Sequence, residues 1–339
     1  MSVPAPPTRP SLPWRLGSVA VMSSVGALSR AFLYGLNNVE VTGMDNLLRM
    51  LDRRKAVEDR QRGLLTACNH VAVLDDPLIW GILPLRYAVD VENLRWSLGA
   101  HDICFKNNLG QVLPTHRYWH SPHGGLYQET MAQALKLLSG PQKFAAGEAE
   151  PSFFSTNGQD TFMAPSSYTA NRHAWVHIFP EACCHQSPNS TLRYFKWGVS
   201  RLILESDPAP DFIPMFVHGT QLIMPEERGW PRWAPRIGNR IRVAIGEPAD
   251  VDKLFGEQRA AWKRLVDKGD PELLRNGQEA IRLRVEVAKM VRDEISKLRE
   301  SMGLVPEKDE TAALAETWAK EPDKRKFKSP VDGSLINRH

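Results

Sequence analysis

Several things this chain lacks narrow its class before any motif is read. Cysteine is scarce. Cys68, Cys104, Cys183 and Cys184 are the whole supply, two of them adjacent, and no C-x-x-C occurs. Such a set makes no disulfide framework, so reduced thiols are expected. A zinc site would have to combine Cys183, Cys184 and His185 with His173 or His177. Those spacings match no common finger, and neither metal nor cofactor is expected. A long apolar run is missing near the N-terminus. Leu16 to Ser29 is uncharged but is 14 residues long, against the roughly 20 that a membrane span needs. Acidic residues are absent from Met1 to Val39, which carries Arg9, Arg15 and Arg30. There is no internal repeat, no nucleic-acid-binding motif and no G-x-S-x-G nucleophile signature. The net charge of +4 and pI of about 8.8 are too slight to argue for nucleic acid, though they suit an anionic membrane surface.

What remains is ordinary in bulk and unusual in detail. A hydrophobic share of 42% and a charged share of 24% are those of a folded protein, and 339 residues suffice for a large core. Ten tryptophans are many for this length. Trp serves cores, and it also serves the layer where proteins meet lipid headgroups.

The informative stretch runs from Leu64 to Trp80. Leu64 to Cys68 reads as a buried strand, and Asp76 with Pro77 reads as a helix start, N-cap then first turn. His70 lies where strand becomes helix and Asp75 at the helix mouth. On one continuous helix these side chains would point about 140° apart. They can meet only if the chain bends between them, and a strand-to-helix loop supplies the bend. A histidine held by a carboxylate is a general base for an alcohol. Downstream, Phe179-Pro180-Glu181 follows a second apolar strand candidate, Trp175 to Phe179. Phe212 to Val217, containing Ile213-Pro214, forms a third.

The order Asn-His-x4-Asp-Asp-Pro, an arginine block, Phe-Pro-Glu and an Ile-Pro strand resembles the glycerolipid acyltransferase superfamily, over residues 35 to 300. Finer matches resemble its phospholipid–lysophospholipid transacylases: Asp75-Asp76-Pro77, Trp80 to Leu83, Asp102 to Phe105, and Arg193 to Gly198. The resemblance implies a single α/β domain with a mixed, mostly parallel sheet flanked by helices. It implies acyl transfer between a phospholipid and a lysophospholipid without acyl-CoA, remodelling cardiolipin through monolysocardiolipin with phosphatidylcholine as a further substrate. The implied location is a mitochondrial membrane, facing the intermembrane space. Two alternatives stay open: an acyl-CoA-dependent lysophosphatidate-type acyltransferase, and a lipid-binding membrane protein without catalysis.

Within this reading His70 is the base and Asp75 orients it, while Asp76 is structural. Arg117 stands where the family has its phosphate-binding arginine, and Arg193 and Lys196 are further cations for the lipid phosphate. Glu181 binds the acceptor headgroup or orients a neighbour. Ala182 stands where most members have glycine, which puts close backbone approach to substrate in doubt. Cys68, Cys183 and Cys184 are the rival nucleophiles, but direct attack by the acceptor alcohol needs none.

Residues 1–36 are expected to anchor the chain at one leaflet. Residues 1–13 are too proline-rich for a helix, and Arg30 sits at the headgroups. Residues 37–300 form the catalytic domain. Leu47 to Arg62 is expected as a solvated helix, and residues 140–172 as a mobile surface insertion. Gln278 to Glu300 is an amphipathic helix with Ile281, Val285, Ala288, Val291, Ile295 and Leu298 inward. Residues 301–339 form a polar tail whose basic run, Lys324 to Lys328, reads as a disordered end.

Overall fold

Leu64–Cys68 is buried at every position because the strand is paired on both sides and covered on both faces, as its unbroken apolar run requires. It is the middle strand of a seven-stranded sheet in a computed structural model that describes residues 9–98, 118–119, 126–139, 153–154 and 162–338. From the N-terminus run helix α1 (Leu12–Leu36), strand β1 (Asn38–Thr42), helix α2 (Met44–Arg53), strand β2 (Leu64–Cys68) and short helices α3 (Asp75–Ile79) and α4 (Leu85–Ala88). Strands β3 (Trp96–Leu98) and β4 (Tyr118–Trp119), helix α5 (Glu129–Leu138) and a ribbon of β5 (Phe153–Phe154) and β6 (Phe162–Met163) come next. Then follow β7 (Trp175–Ile178), β8 (Cys184–Gln186), α6 (Gly198–Leu204), β9 (Asp211–His218), α7 (Thr220–Ile223) and β10 (Arg240–Ile245). Helices α8 (Val251–Leu254), α9 (Gly256–Val266), α10 (Pro271–Asn276) and α11 (Gln278–Ser301) precede β11 (Lys326–Lys328) and β12 (Leu335–Asn337).

The main sheet has the order β1-β10-β9-β2-β7-β3-β4. Every neighbouring pair is parallel except β10 and β9, so the sheet is mixed and mostly parallel, as expected. Its side chains alternate between two cores. Leu65, Ala67, Val176, Ile178, Phe212 and Phe216 pack with α5, α6, α9 and α11. Leu64, Cys68, Trp175, Ile213, Met215 and Val217 pack with α1, α2 and α3. The C-terminal ends of β2, β7 and β9 share one edge, the rim where open α/β sheets place their sites.

Several expectations change. Leu47 to Arg62 is not one solvated helix. α2 stops at Arg53, and Leu47 and Leu51, one turn apart, are buried against the sheet. α1 begins at Leu12, because Pro13 occupies the first turn, where a missing N–H costs nothing. Arg30 is not directed to headgroups. Its guanidinium donates to the carbonyls of Gly81, Ile82 and Leu83, satisfying the end of a 3-10 turn. α11 buries Ala288, Val291 and Ile295 of its expected stripe, but its first turns are rotated. Ala280, Leu283 and Val287 are fully buried and Ile281 and Val285 only partly, while Arg284, Arg292 and Arg299 are buried too. These arginines bond carbonyls of neighbouring segments, so charge on this helix does not mark its wet face.

The C-terminal basic run is not a disordered end. Lys326–Lys328 is β11, paired with β12, and β12 pairs with β8 in a three-stranded antiparallel sheet. Trp318 and Ile336 are buried there. The far end of the expected insertion is also packed. Ala164, Ala170 and Asn171 are buried, and Ser166 bonds Gln133 of α5.

Candidate active site

The chain leaves β2 at Cys68, turns through Asn69 and His70, and enters α3 at Asp75. Asn69 fixes the turn by bonding both the N–H and the carbonyl of Val217 on β9. The bend brings His70 Nδ1 to 2.9 Å from Asp75 Oδ2. The same oxygen accepts the N–H groups of Val71 at 2.7 Å and Ala72 at 2.8 Å. Asp75 is fully buried, and the His70 side chain is 14% exposed. A carboxylate already accepting two backbone donors accepts a third hydrogen bond from Nδ1–H, which assigns the tautomer and makes Nε2 the acceptor. Phe179 stacks on the imidazole with ring centroids 4.4 Å apart, so the ring has little rotational freedom.

Asp76 is not the helix cap, a position that falls at Leu74. Its Oδ1 accepts from Trp80 Nε1 and Ser97 Oγ and pairs with Arg95, joining α3 to β3. Its role is structural by another route.

Glu181 lies beyond β7 and is 1% exposed. Oε1 accepts the His70 N–H at 3.0 Å and Oε2 the Arg193 N–H at 3.2 Å. The geometry is that of an orienting group, since both oxygens face inward onto protein donors. Ala182 has φ +53. Glycine suits this position because the turn is left-handed, and the exposed Ala182 methyl blocks nothing in the protein.

Arg193 and Lys196 part company. The Arg193 guanidinium is buried, forks onto the carboxylate of Glu321 and lies 4.5 Å from the Trp318 ring centre. Its charge is spent inside the protein, contrary to the expected phosphate role. Lys196 is exposed, and its N–H bonds Pro180 O at 2.8 Å, which puts it beside the Phe-Pro-Glu turn. Arg117 lies outside the described residues, as does Asp102 to Phe105.

The cysteines are poor nucleophiles. Cys68, Cys183 and Cys184 are buried, and burial pushes all three thiols up, Cys183 to about 12. Cys184 Sγ sits 3.4 Å from His70 Nε2, yet its thiol is held neutral. The other histidines have separate tasks. His177 meets Thr66 Oγ1 at 2.7 Å, and burial lowers its pKa to about 3, so it is neutral. His173 Nδ1 bonds the Arg60 carbonyl. Among the described residues no group of three His, Cys, Asp or Glu side chains could hold a metal.

His185 and Asp332 complete a second layer that sequence reading missed. The His185 N–H donates to His70 O at 2.7 Å, so the His70 backbone is gripped at both ends. His185 Nδ1 is 3.2 Å from Glu181 Oε2, and Nε2 is 3.0 Å from Asp332 Oδ2. Burial opposes charge on this imidazole, but the two carboxylates outweigh it and hold its pKa at about 9. The charged row Glu181–His185–Asp332 thus ties the turn between β11 and β12 to the catalytic loop.

Comparison with known proteins gives the family. A family model described as Acyltransferase matches residues 38–218. Tafazzin of Saccharomyces cerevisiae is 32% identical over 348 residues, covering 96% of this chain and 88% of that protein. Tafazzin of Drosophila melanogaster is 29% identical over 295 residues, covering 84% and 65%. The crystal structure of the 1-acyl-sn-glycerophosphate acyltransferase from Thermotoga maritima aligns with a TM-score of 0.43 and 15% identity, over 76% of this chain and 80% of that one. The chain is an acyltransferase and belongs to the tafazzin family within the glycerolipid acyltransferase superfamily.

Proposed function

We propose that the chain is an acyl-CoA-independent phospholipid–lysophospholipid transacylase that remodels cardiolipin through monolysocardiolipin, with phosphatidylcholine as a donor. The observation that carries this reading is His70 held by Asp75 at 2.9 Å on a backbone fixed by Glu181. His70 Nε2 takes the proton from the free glycerol hydroxyl of the acceptor. The oxygen attacks the carbonyl carbon of the donor ester, forming a new C–O bond. The tetrahedral adduct collapses by breaking the donor's C–O bond, and the departing alkoxide takes the proton back from His70. One base serves both directions because the two ester bonds are alike, and no thioester is needed. Lys196 and Arg117 hold lipid phosphates, and Asp75 stabilises the imidazolium.

The apolar surface of α1 supports attachment to one leaflet. Leu12, Leu16 and Leu28 are each more than 60% exposed, although by length and composition alone the helix could also cross a membrane. The proposed site of action is a mitochondrial membrane, on the intermembrane-space side.

The test is a purified full chain given labelled phosphatidylcholine and monolysocardiolipin, with and without acyl-CoA. Transfer without CoA is expected, and His70→Ala should abolish it while keeping the circular dichroism spectrum. Activity that appears only with acyl-CoA would mean a lysophosphatidate-type enzyme. Lipid binding with no transfer under either condition would mean a binding protein.

A further inference from the structure

Half of the tryptophans are accounted for by the core, where Trp80, Trp96, Trp175, Trp262 and Trp318 are buried. Two are the opposite. Trp230 is 90% exposed and Trp233 is 79% exposed, and Ile237 in the same loop is 61% exposed. Their exposure would be costly in water, and three apolar side chains within eight residues mark a surface with a ligand of its own.

The loop also carries Arg228, Arg232 and Arg236. Their guanidinium groups meet only carbonyl oxygens of the loop itself: Arg228 bonds Pro225 and Arg232, Arg232 bonds Arg228 and Glu226, and Arg236 bonds Gly229. Among the described residues none of the three pairs with a carboxylate. The neighbouring Glu226 feels Arg228 but is hydrogen-bonded to Lys326 and Asn337, so three arginines of the loop stand against two glutamates, one of them shared with Lys326. Indoles interleaved with unneutralised arginines fit the headgroup layer of an anionic bilayer, where Trp prefers to lie and each cation gains from the surface potential.

The loop is fastened at both ends to elements already described. At its start, Gln186 Nε2 donates to Met224 O and to Val71 O, and Gln186 Oε1 accepts the Glu226 N–H. Val71 adjoins His70, so the loop root is one side chain away from the catalytic turn. At its end, the Gly238 N–H donates to Leu36 O, the last residue of α1, and Asn239 N–H to Asn37 Oδ1. The loop therefore bridges the apolar helix and the active site.

We propose that Arg228–Ile237 is a second membrane-contact element, inserting Trp230 and Trp233 into the headgroup layer of an anionic membrane. It acts with α1 to fix how the His70 turn faces the lipid surface. The inference concerns attachment and is independent of the identity of the acyl donor.

The test uses the full chain with α1 intact, and two kinds of vesicle: phosphatidylcholine alone, and phosphatidylcholine mixed with phosphatidylglycerol. Trp230→Ser with Trp233→Ser should weaken binding to both by about tenfold or more. Arg228→Gln, Arg232→Gln and Arg236→Gln together should cost on the order of a hundredfold on anionic vesicles and little on neutral ones. Trp230→Phe with Trp233→Phe should keep most of the binding but lose the part of the indole fluorescence that brominated lipids quench. This last pair guards against a misfolded loop. Quenching unchanged in the Phe pair, or vesicle binding unchanged in the Ser pair, would overturn the proposal. A Ser pair that alters sedimentation mass but not vesicle binding would show that a second copy covers the loop, and would overturn it equally.

Discussion

Asp75 spends a single oxygen on three donors, two of them backbone N–H groups that fix the loop and one the imidazole that does the proposed chemistry. Asp75→Asn should therefore be severely impaired: its amide oxygen can keep the backbone N–H groups, but a neutral group no longer stabilises the imidazolium, and an amide turned the other way favours the wrong imidazole tautomer. A loss of transfer on the order of 10³–10⁴ is expected, read by initial rates at equal protein, with folding checked by thermal melting. Ala182 behaves differently. Its φ of +53 is a left-handed turn that costs an alanine roughly 1 kcal/mol. Ala182→Gly should accordingly raise stability by about 0.5–1 kcal/mol in a denaturant titration. His185 supplies a pH signature. With a folded pKa of about 9 against 6.5 unfolded, it contributes about 3 kcal/mol. That stability is complete below pH 6.5, declines above it and is lost once pH passes about 9. Unfolding titrations at pH 6 and above pH 9 should show the loss in the natural chain and a flatter profile in Asp332→Asn. The His70 and Asp75 positions were readable because a strand signal ran straight into a helix signal with both residues in the gap. His185 was not, because one of its two carboxylate partners, Asp332, stands 147 residues away and the turn that carries it has no signal of its own.

Among elements, α1 shows what packing decides and composition does not. It lies on α3, α4 and the turn Trp80–Ile82, and it can lie that close only because Gly81 has no side chain. A Cβ there would stand 2.7 Å from the Ser29 carbonyl carbon and 2.8 Å from Arg30 N. Gly81→Val should push the helix away, break the three carbonyl contacts of Arg30 and cost about 1–3 kcal/mol, with faster tryptic cleavage at Arg30. Cleavage at Arg30 no faster than in the natural chain would mean that the helix is held elsewhere. The sequence shows an apolar segment interrupted by a charge, a pattern that points the charge to lipid headgroups. The structure gives that charge protein carbonyls instead, a pairing visible only once Gly81 and Arg30 are brought together. The same reason hid the buried arginines of α11. Periodicity assigns arginine to the wet face, whereas Arg292 and Arg299 serve backbone carbonyls of the 189–193 segment.

For the whole molecule, the residues after α11 are a clasp. Glu321 has a fully buried side chain shared by Arg193, Arg338 and Ser329, while β12 lies on β8 and Asp332 reaches His185. Removing one partner of a buried pair leaves the other charge stranded. Glu321→Ala should thus cost about 3–5 kcal/mol, measured by chemical unfolding, and Arg193→Met with Glu321→Leu should recover much of it. The α/β class of the main domain was legible in its alternating strand and helix signals, and its mostly parallel sheet in the family resemblance. The clasp was not, because a three-residue strand has no periodicity to read and its pairing is entirely long-range.

The hairpin β11–β12 also orders events in time. Synthesis runs from the N-terminus, so His70, Asp75 and Glu181 all leave the ribosome well before Asp332. A nascent chain can form its parallel sheet and still lack one of the two carboxylates that charge His185 and the strand that lies on β8. On the proposed chemistry, a chain halted before residue 326 would carry every residue of the reaction and yet have an unsecured base. Translation itself would then act as a safety interval, during which a lipid-modifying enzyme is folded but not yet armed.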